Sequence, residues 1–305
     1  RFYVLWANAP WDDLKFNWDS VKTIHRTLNI LWNVYRFPLP YMVLDSFEPA
    51  SGAGGVWDDS FVRSHIRDMP EEDRWIISRV NSLARTTSGD MQEYHLHKVT
   101  RALASFILED LSRWYVQLVR PRMWLEEDST EKRYAYETVY YVMRRLTALL
   151  APFTPHIAEE IYRNLRLAGD PESAHMLDWP VADGLLIDQR LEAEMEIIQS
   201  FDDAVATARQ NGRRKLRWPV SETVVVTGSN EVRRALEGLN DLALNRANTR
   251  TVRVVTGTWD RILWKAEPVM RAIGPEFGKE GPKVKALIES ADGTALKAAI
   301  ERDGE

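Results

Sequence analysis

The chain has 305 residues, 40 Lys plus Arg against 45 Asp plus Glu, with 45% hydrophobic and 28% charged residues, a globular composition that excludes an unfolded polar chain. The formal charge of −5 gives no global case for nucleic-acid binding, so any such binding depends on local basic patches. Charged residues break every apolar run short of the roughly 18–20 residues that span a bilayer, and the absence of cysteine excludes disulfides, thiol nucleophiles and Cys-ligated zinc or iron–sulfur sites. A cysteine-free chain fits a reducing cytoplasm, which is the expected compartment. Arg1-Phe2-Tyr3-Val4-Leu5-Trp6 has neither an initiator Met nor signal-peptide order, so the chain reads as a piece of something longer.

From residue 18 to about 37, Val21, Ile24, Leu28, Leu31 and Trp32 recur at helical steps, and Pro38 and Pro40 stop the pattern. Ser51-Gly52-Ala53-Gly54-Gly55 is the most flexible part of the following loop. Pro70 with Glu71, Glu72 and Asp73 starts a second helix through Trp75, Ile76, Val80 and Leu83, since carboxylates favour the positive end of the helix dipole. Val99, Leu103, Phe106, Leu111, Trp114 and Leu118 predict a third helix ended by Arg120-Pro121-Arg122. Val139, Val142, Met143, Leu146, Leu149 and Leu150 predict a fourth, and Thr154-Pro155 starts a fifth. Long amphipathic helices joined by short Pro-containing breaks predict a mainly α fold, an antiparallel bundle over residues 1–180. Gly and Pro between 168 and 190 mark the boundary. Residues 181–305 predict a small α+β domain, with a helix on Leu191, Met195, Ile198 and Val205 and another carrying Val232, Leu236 and Leu239. Its strands are Thr223–Thr227 and Thr251–Thr256, with Ile262-Leu263-Trp264 as a third.

No catalytic constellation emerges. Gly52–Trp57 does not fit the dinucleotide fingerprint, and neither a Gly-Lys-Ser/Thr phosphate loop nor a Gly-x-Ser-x-Gly elbow occurs. His95 and His97 have no carboxylate at ligand spacing, and His156-Ile157-Ala158-Glu159-Glu160 lacks the second His of a zinc helix. The residues favour binding over catalysis.

Two local features oppose the acidic background. Arg113, Gln117 and Arg120 fall at i, i+4 and i+7 opposite Phe106, Leu111 and Trp114, and Arg122 and Trp124 continue past Pro121. Guanidinium and indole groups suit an RNA loop, through phosphate pairing and base stacking. The competing reading pairs Arg113 and Arg120 with Glu109, Glu126 or Glu127; both stand, while Trp114 on the apolar face belongs to the core. The second feature is Arg209-Gln210-Asn211-Gly212-Arg213-Arg214-Lys215-Leu216-Arg217-Trp218-Pro219, five basic residues and no acid. It reads as a phosphate-contact loop rather than a solvated charge run, because no acid balances it locally.

Across nearly the whole chain, a series of short motifs carries a resemblance. They are Arg1-Phe2-Tyr3-Val4-Leu5, Ala9-Pro10-Trp11, Leu31-Trp32-Asn33-Val34-Tyr35-Arg36-Phe37, Asp73-Arg74-Trp75-Ile76-Ile77-Ser78-Arg79, Asp110-Leu111-Ser112-Arg113-Trp114-Tyr115 and Arg120-Pro121-Arg122-Met123-Trp124. Ala151-Pro152-Phe153-Thr154-Pro155-His156, His175-Met176-Leu177-Asp178-Trp179-Pro180, Lys215-Leu216-Arg217-Trp218-Pro219 and Ile273-Gly274-Pro275-Glu276-Phe277-Gly278-Lys279 complete the set. Together these resemble the C-terminal part of class I aminoacyl-tRNA synthetases, most closely the isoleucyl family of archaeal and eukaryotic type. That family more often carries Gln at position 218.

The resemblance implies an anticodon-binding bundle followed by the start of an α+β extension. It implies isoleucine tRNA and the parent's catalytic and editing domains as partners. It also implies that ATP-dependent attachment of isoleucine is carried out upstream, by a fold whose His-x-Gly-His and Lys-Met-Ser-Lys-Ser-type signatures are absent here. No cofactor is expected in this fragment, with ATP and zinc belonging to the parent; without cysteine the family's zinc sites cannot be completed. Charge and spacing nominate Arg113, Gln117, Arg120, Arg122, Trp124, Arg209, Arg213, Arg214, Lys215 and Arg217 as tRNA contacts. A valyl or leucyl relative, and a helical protein-interaction scaffold without RNA affinity, are the alternatives.

Overall fold

In the structure, a computed structural model that describes residues 1–125, 127, 129–257 and 265–303, the chain divides into two compact units, Arg1–Ile197 and Ile198–Glu305. The division falls within one long helix, Gln189–Asn211. The first unit is all helical. Its elements are α1 (Phe2–Ala7), α2 (Trp18–Arg36), α3 (Leu39–Leu44), α4 (Ser60–His65), α5 (Glu71–Gln92), α6 (Leu96–Ser105), α7 (Val116–Met123), α8 (Thr130–Leu150), α9 (Pro155–Leu165) and the start of α10 (Gln189–Asn211). Asn17 starts α2 by accepting from the Asp19 and Ser20 amides at 2.7 and 3.1 Å. Pro38, expected only as a stop, precedes α3 and so also marks a helix start.

The third expected helix is continuous from α6 to α7, but Phe106–Tyr115 between them is a π segment. The helix also runs through Pro121 to Met123, beyond its expected end. A proline in the last turn removes one bond near a terminus, and two flanking anchors keep the turn in place. Met123 is buried, and Arg122 grips Asp73 with Nη1 to Oδ2 and Nη2 to Oδ1, both 2.8 Å.

Asp73 is fully buried in the first turn of α5 and also accepts the Tyr115 hydroxyl at 2.6 Å. Burial by itself would lower the Arg122 pKa, but the charge and hydrogen bonds of Asp73 outweigh it and hold the group above the ordinary arginine range. Burial, reinforced by Asp73, pushes the Tyr115 hydroxyl well up, so it stays a donor. Six residues further along α5, the Arg79 guanidinium bonds Asp110 of the π segment through Nε and Nη2 at 3.1 and 2.9 Å and reaches Glu192 of α10 through Nη1 at 3.1 Å.

Helix α8 is the central element, buried on nearly every side rather than amphipathic. Its buried arginines are partnered. Arg144 pairs with Asp170 at 2.8 Å and lies over the Trp57 and Tyr162 rings at 5.1 and 5.0 Å, while Arg145 donates to Asn81 Oδ1 at 3.0 Å and to the Val181 carbonyl. Asp170 also accepts from the Trp57 amide, and the Gly169 amide donates to Gly55 O at 3.2 Å. A Cβ at Gly169 would lie 2.5 Å from Gly54 O, so only glycine permits this approach. The glycine loop expected to be flexible is therefore tied down by the turn at 167–171.

The second unit holds the rest of α10, strands β1 (Thr223–Val226) and β2 (Val252–Val255), and helices α11 (Asn230–Gly238), α12 (Asn240–Ala247), α13 (Met270–Phe277), α14 (Gly281–Ser290) and α15 (Gly293–Asp303). β1 and β2 pair in parallel with Thr223 opposite Val252, which requires the crossover that α11 and α12 supply. The expected strand at Ile262–Trp264 lies outside the described residues. Arg209, near the end of α10, is buried and donates to four carbonyls. Nη1 reaches Lys215 O and Trp218 O at 3.4 and 2.6 Å, and Nη2 reaches Ala247 O and Asn248 O at 2.6 and 3.0 Å. No described helix is long and apolar enough to cross a membrane.

Two stability effects follow. Arg122→Met leaves the Asp73 carboxylate buried beside Tyr115 alone and is expected to cost about 3–5 kcal/mol in urea unfolding, whereas Asp73→Asn combined with Arg122→Met recovers part of the loss. A loss near zero for the single variant would refute the anchor. Arg209→Lys replaces a planar fork by one ammonium that cannot reach both pairs of carbonyls, so a loss of about 1–3 kcal/mol is expected in thermal unfolding of the second unit.

Candidate nucleic-acid interface

Helical geometry separates the basic residues near Pro121 into two groups. Residues two apart on a helix lie about 200° apart, so the inward anchor at Arg122 turns Arg120 to the other side. The Arg120 guanidinium carbon lies 5.0 Å from the Phe37 ring centroid and 5.7 Å from that of Trp124. Phe37, at the end of α2, is half-buried, Trp124 is 54% exposed, and Leu125 beside it is exposed. Arg120 Nε is buried without a hydrogen-bond partner, and among the described residues Arg120 has no ion pair. Glu126, one of its expected partners, lies outside them. The result is a cation within reach of two rings, one of which is open to solvent.

Chain segments beside this stack are locked in place. Lys132 Nζ donates to the Leu125 carbonyl at 2.8 Å and pairs with Asp45 at 2.5 Å. Asp45 is held below the usual carboxylate range by its hydrogen bonds from Lys132 and Tyr136. Asp45 and Tyr136 also line an open polar cleft of about 770 Å³ between the 45–51 segment and the start of α8 at Ser129 and Thr130.

The remaining sites nominated on the third helix differ in availability. Gln117 is exposed, one turn before Arg120. Arg113 is exposed but bonded through Nη1 to both Glu109 carboxylate oxygens at 2.9 and 2.6 Å, the pairing weighed against RNA contact from sequence. Arg122 turns away from solvent into the Asp73 and Glu72 carboxylates, because a fully buried Asp73 needs a bidentate cation. Trp114 is buried as expected. Phe37 was missed as a site residue: it ends a helix pattern in the sequence, and only the crossing of α2 and the third helix brings it to Arg120.

In the second unit the basic loop is present, but its arginines face two ways. Arg209 points inward to the four carbonyls. Arg213, Arg214, Lys215 and Arg217 are exposed, and among the described residues none forms an ion pair. Leu216 and Trp218 are also about half exposed. Of the nominated residues, the structure thus groups Arg120 with Trp124 and, separately, Arg213, Arg214, Lys215 and Arg217.

Among the described residues no group of three or more His, Asp or Glu side chains is placed to hold a metal ion.

Comparison with known proteins supplies the family. The family described as anticodon-binding domain of tRNA ligase matches residues 73–226. Isoleucine–tRNA ligase of Methanoculleus marisnigri is 89% identical over 304 residues, covering 100% of this chain and 29% of the relative. The enzymes so named from Methanospirillum hungatei and Methanoregula boonei are 61% and 62% identical over 304 and 301 residues, with 29% and 28% of each relative covered. The chain therefore spans less than a third of the length of these relatives. Over residues 73–226, which include Arg120 and Trp124 but not Phe37, it belongs to the anticodon-binding domain family of tRNA ligases.

Proposed function

We propose that this chain binds the anticodon arm of isoleucine tRNA, as part of a longer ligase that attaches isoleucine to that tRNA with ATP during translation in the cytoplasm. The observation that carries the reading is Arg120 between Phe37 and Trp124. A guanidinium without a carboxylate partner among the described residues is free to meet a phosphate or a base edge, and the exposed Trp124 ring is free to take an unstacked base. Contact with Phe37 restricts the Arg120 side chain, so less side-chain freedom remains to be lost on binding. Gln117 adjoins the stack along the chain and offers a neutral donor and acceptor for the loop backbone. Activation of the amino acid and its transfer belong to the catalytic domain of the ligase, which supplies the ATP chemistry.

The direct test is a fluorescence titration of the chain with isoleucine tRNA and with an anticodon-substituted version, each at two salt concentrations. The native anticodon is expected to bind more tightly. Arg120→Ala and Trp124→Ala should each weaken it by about 5- to 100-fold, corresponding to about 1–3 kcal/mol per lost stack or bidentate contact, while weakening the substituted tRNA less. Equal binding of both tRNAs, with no effect of either substitution, would remove the reading.

A further inference from the structure

We infer that Trp218 is a base-stacking residue for unpaired RNA, forming with Arg213, Arg214, Lys215 and Arg217 a second RNA contact carried entirely by the second unit. The inference rests on the proposed role in tRNA binding for the nature of the ligand, and on separate residues for the site.

The argument begins with the loop backbone. Arg209 lies beneath the loop and binds Lys215 O and Trp218 O, while the Asn248 side-chain amide donates to Leu216 O at 2.9 Å. The Arg214 amide returns to Arg209 O at 2.8 Å and the Trp218 amide to Lys215 O at 3.0 Å. Three loop carbonyls are thus held from the inner side, which fixes the outer side as the one that displays side chains. A charge run with no function requires no such scaffold.

What is displayed is also specific. Trp218 is 50% exposed, and among the described residues neither its ring nor its indole N–H has a partner. Large aromatic surface is left in water immediately before Pro219, whose ring limits motion of the chain behind it. Arg213 adopts φ of 50°, a left-handed conformation that favours glycine or asparagine, yet the position carries arginine directly after Gly212. A strained backbone is retained there with a long cation on it. Four exposed cations, no acid between 209 and 219, and one free indole make a phosphate-tracking surface with a stacking platform. An acidic protein partner would use the cations but has no need of a free π face.

The test uses the whole chain, wild type and with Trp218→Ala, Trp218→Phe or Arg213→Ala/Arg214→Ala. Binding is measured to an eight-nucleotide single-stranded pyrimidine RNA and to the same RNA made abasic. Circular dichroism checks folding, which an exposed position is expected to leave unchanged. Trp218→Ala should weaken the intact RNA by about 5- to 100-fold without affecting the abasic one, and Trp218→Phe should retain most of the affinity. The double arginine variant should weaken both and lower the salt slope by about 0.7 per lost phosphate contact. Equal behaviour of Trp218→Ala and wild type on the intact RNA overturns the inference. So does an equal loss on both RNAs, the result an acidic partner surface gives. Anticodon discrimination that depends on Arg120 but not on Trp218 leaves the proposed function standing and removes this site. Base-dependent loss at Trp218 without anticodon discrimination does the reverse.

Discussion

An ionised carboxylate with no access to water, Asp73, sets the conditions for much of the first unit. Removing such a charge from solvent is unfavourable unless every lone pair finds a strong donor. Three pieces of chain answer that demand: Asp73 sits at the start of α5, Tyr115 closes the π segment, and Arg122 lies in the last turn of α7. Their convergence fixes the register of the third helix against α5, and the Arg79 pairing with Asp110 and Glu192 repeats the device further along. The helix can then pass through Pro121 because Arg122 holds the turn beyond it.

The same anchor creates the candidate binding surface. With Arg122 inward, Arg120 and Trp124, four residues apart, share the outward side. Phe37 then meets Arg120 from α2. The candidate stack is therefore a by-product of core electrostatics: a residue that holds the fold decides where its neighbour points. In the second unit Arg209 plays the corresponding part, spending its donors on backbone carbonyls so that the loop after it presents cations and Trp218 outward.

The motifs that carry the family resemblance are mostly structural. In Asp73–Arg79, the aspartate and the last arginine are ion-pair hubs while Trp75, Ile76 and Ile77 are buried. Trp114 and Tyr115 are buried as well, leaving Arg113 as the exposed member of its motif. These sequences are recognisable because a buried charge with several partners tolerates few replacements. The outward groups Arg120, Trp124, Lys215 and Arg217 occupy such motifs by adjacency.

Helix positions, the apolar face that buries Trp114, the two strands around 223 and 252, and the basic loop were legible in the sequence, because each depends on periodicity or local composition. Composition also settled the absence of cysteine chemistry. Only the tertiary structure decided which arginines are available. Arg122, Arg144, Arg145 and Arg209 look like surface cations in one dimension, yet each is held by carboxylates, rings or carbonyls from distant segments. Sequence reading assigns charge to solvent by default, and that default fails wherever a buried acid or a row of free carbonyls offers a better partner than water. Phe37 entered the site for the same reason: its meeting with Arg120 is set by how two helices cross, and no local pattern records that.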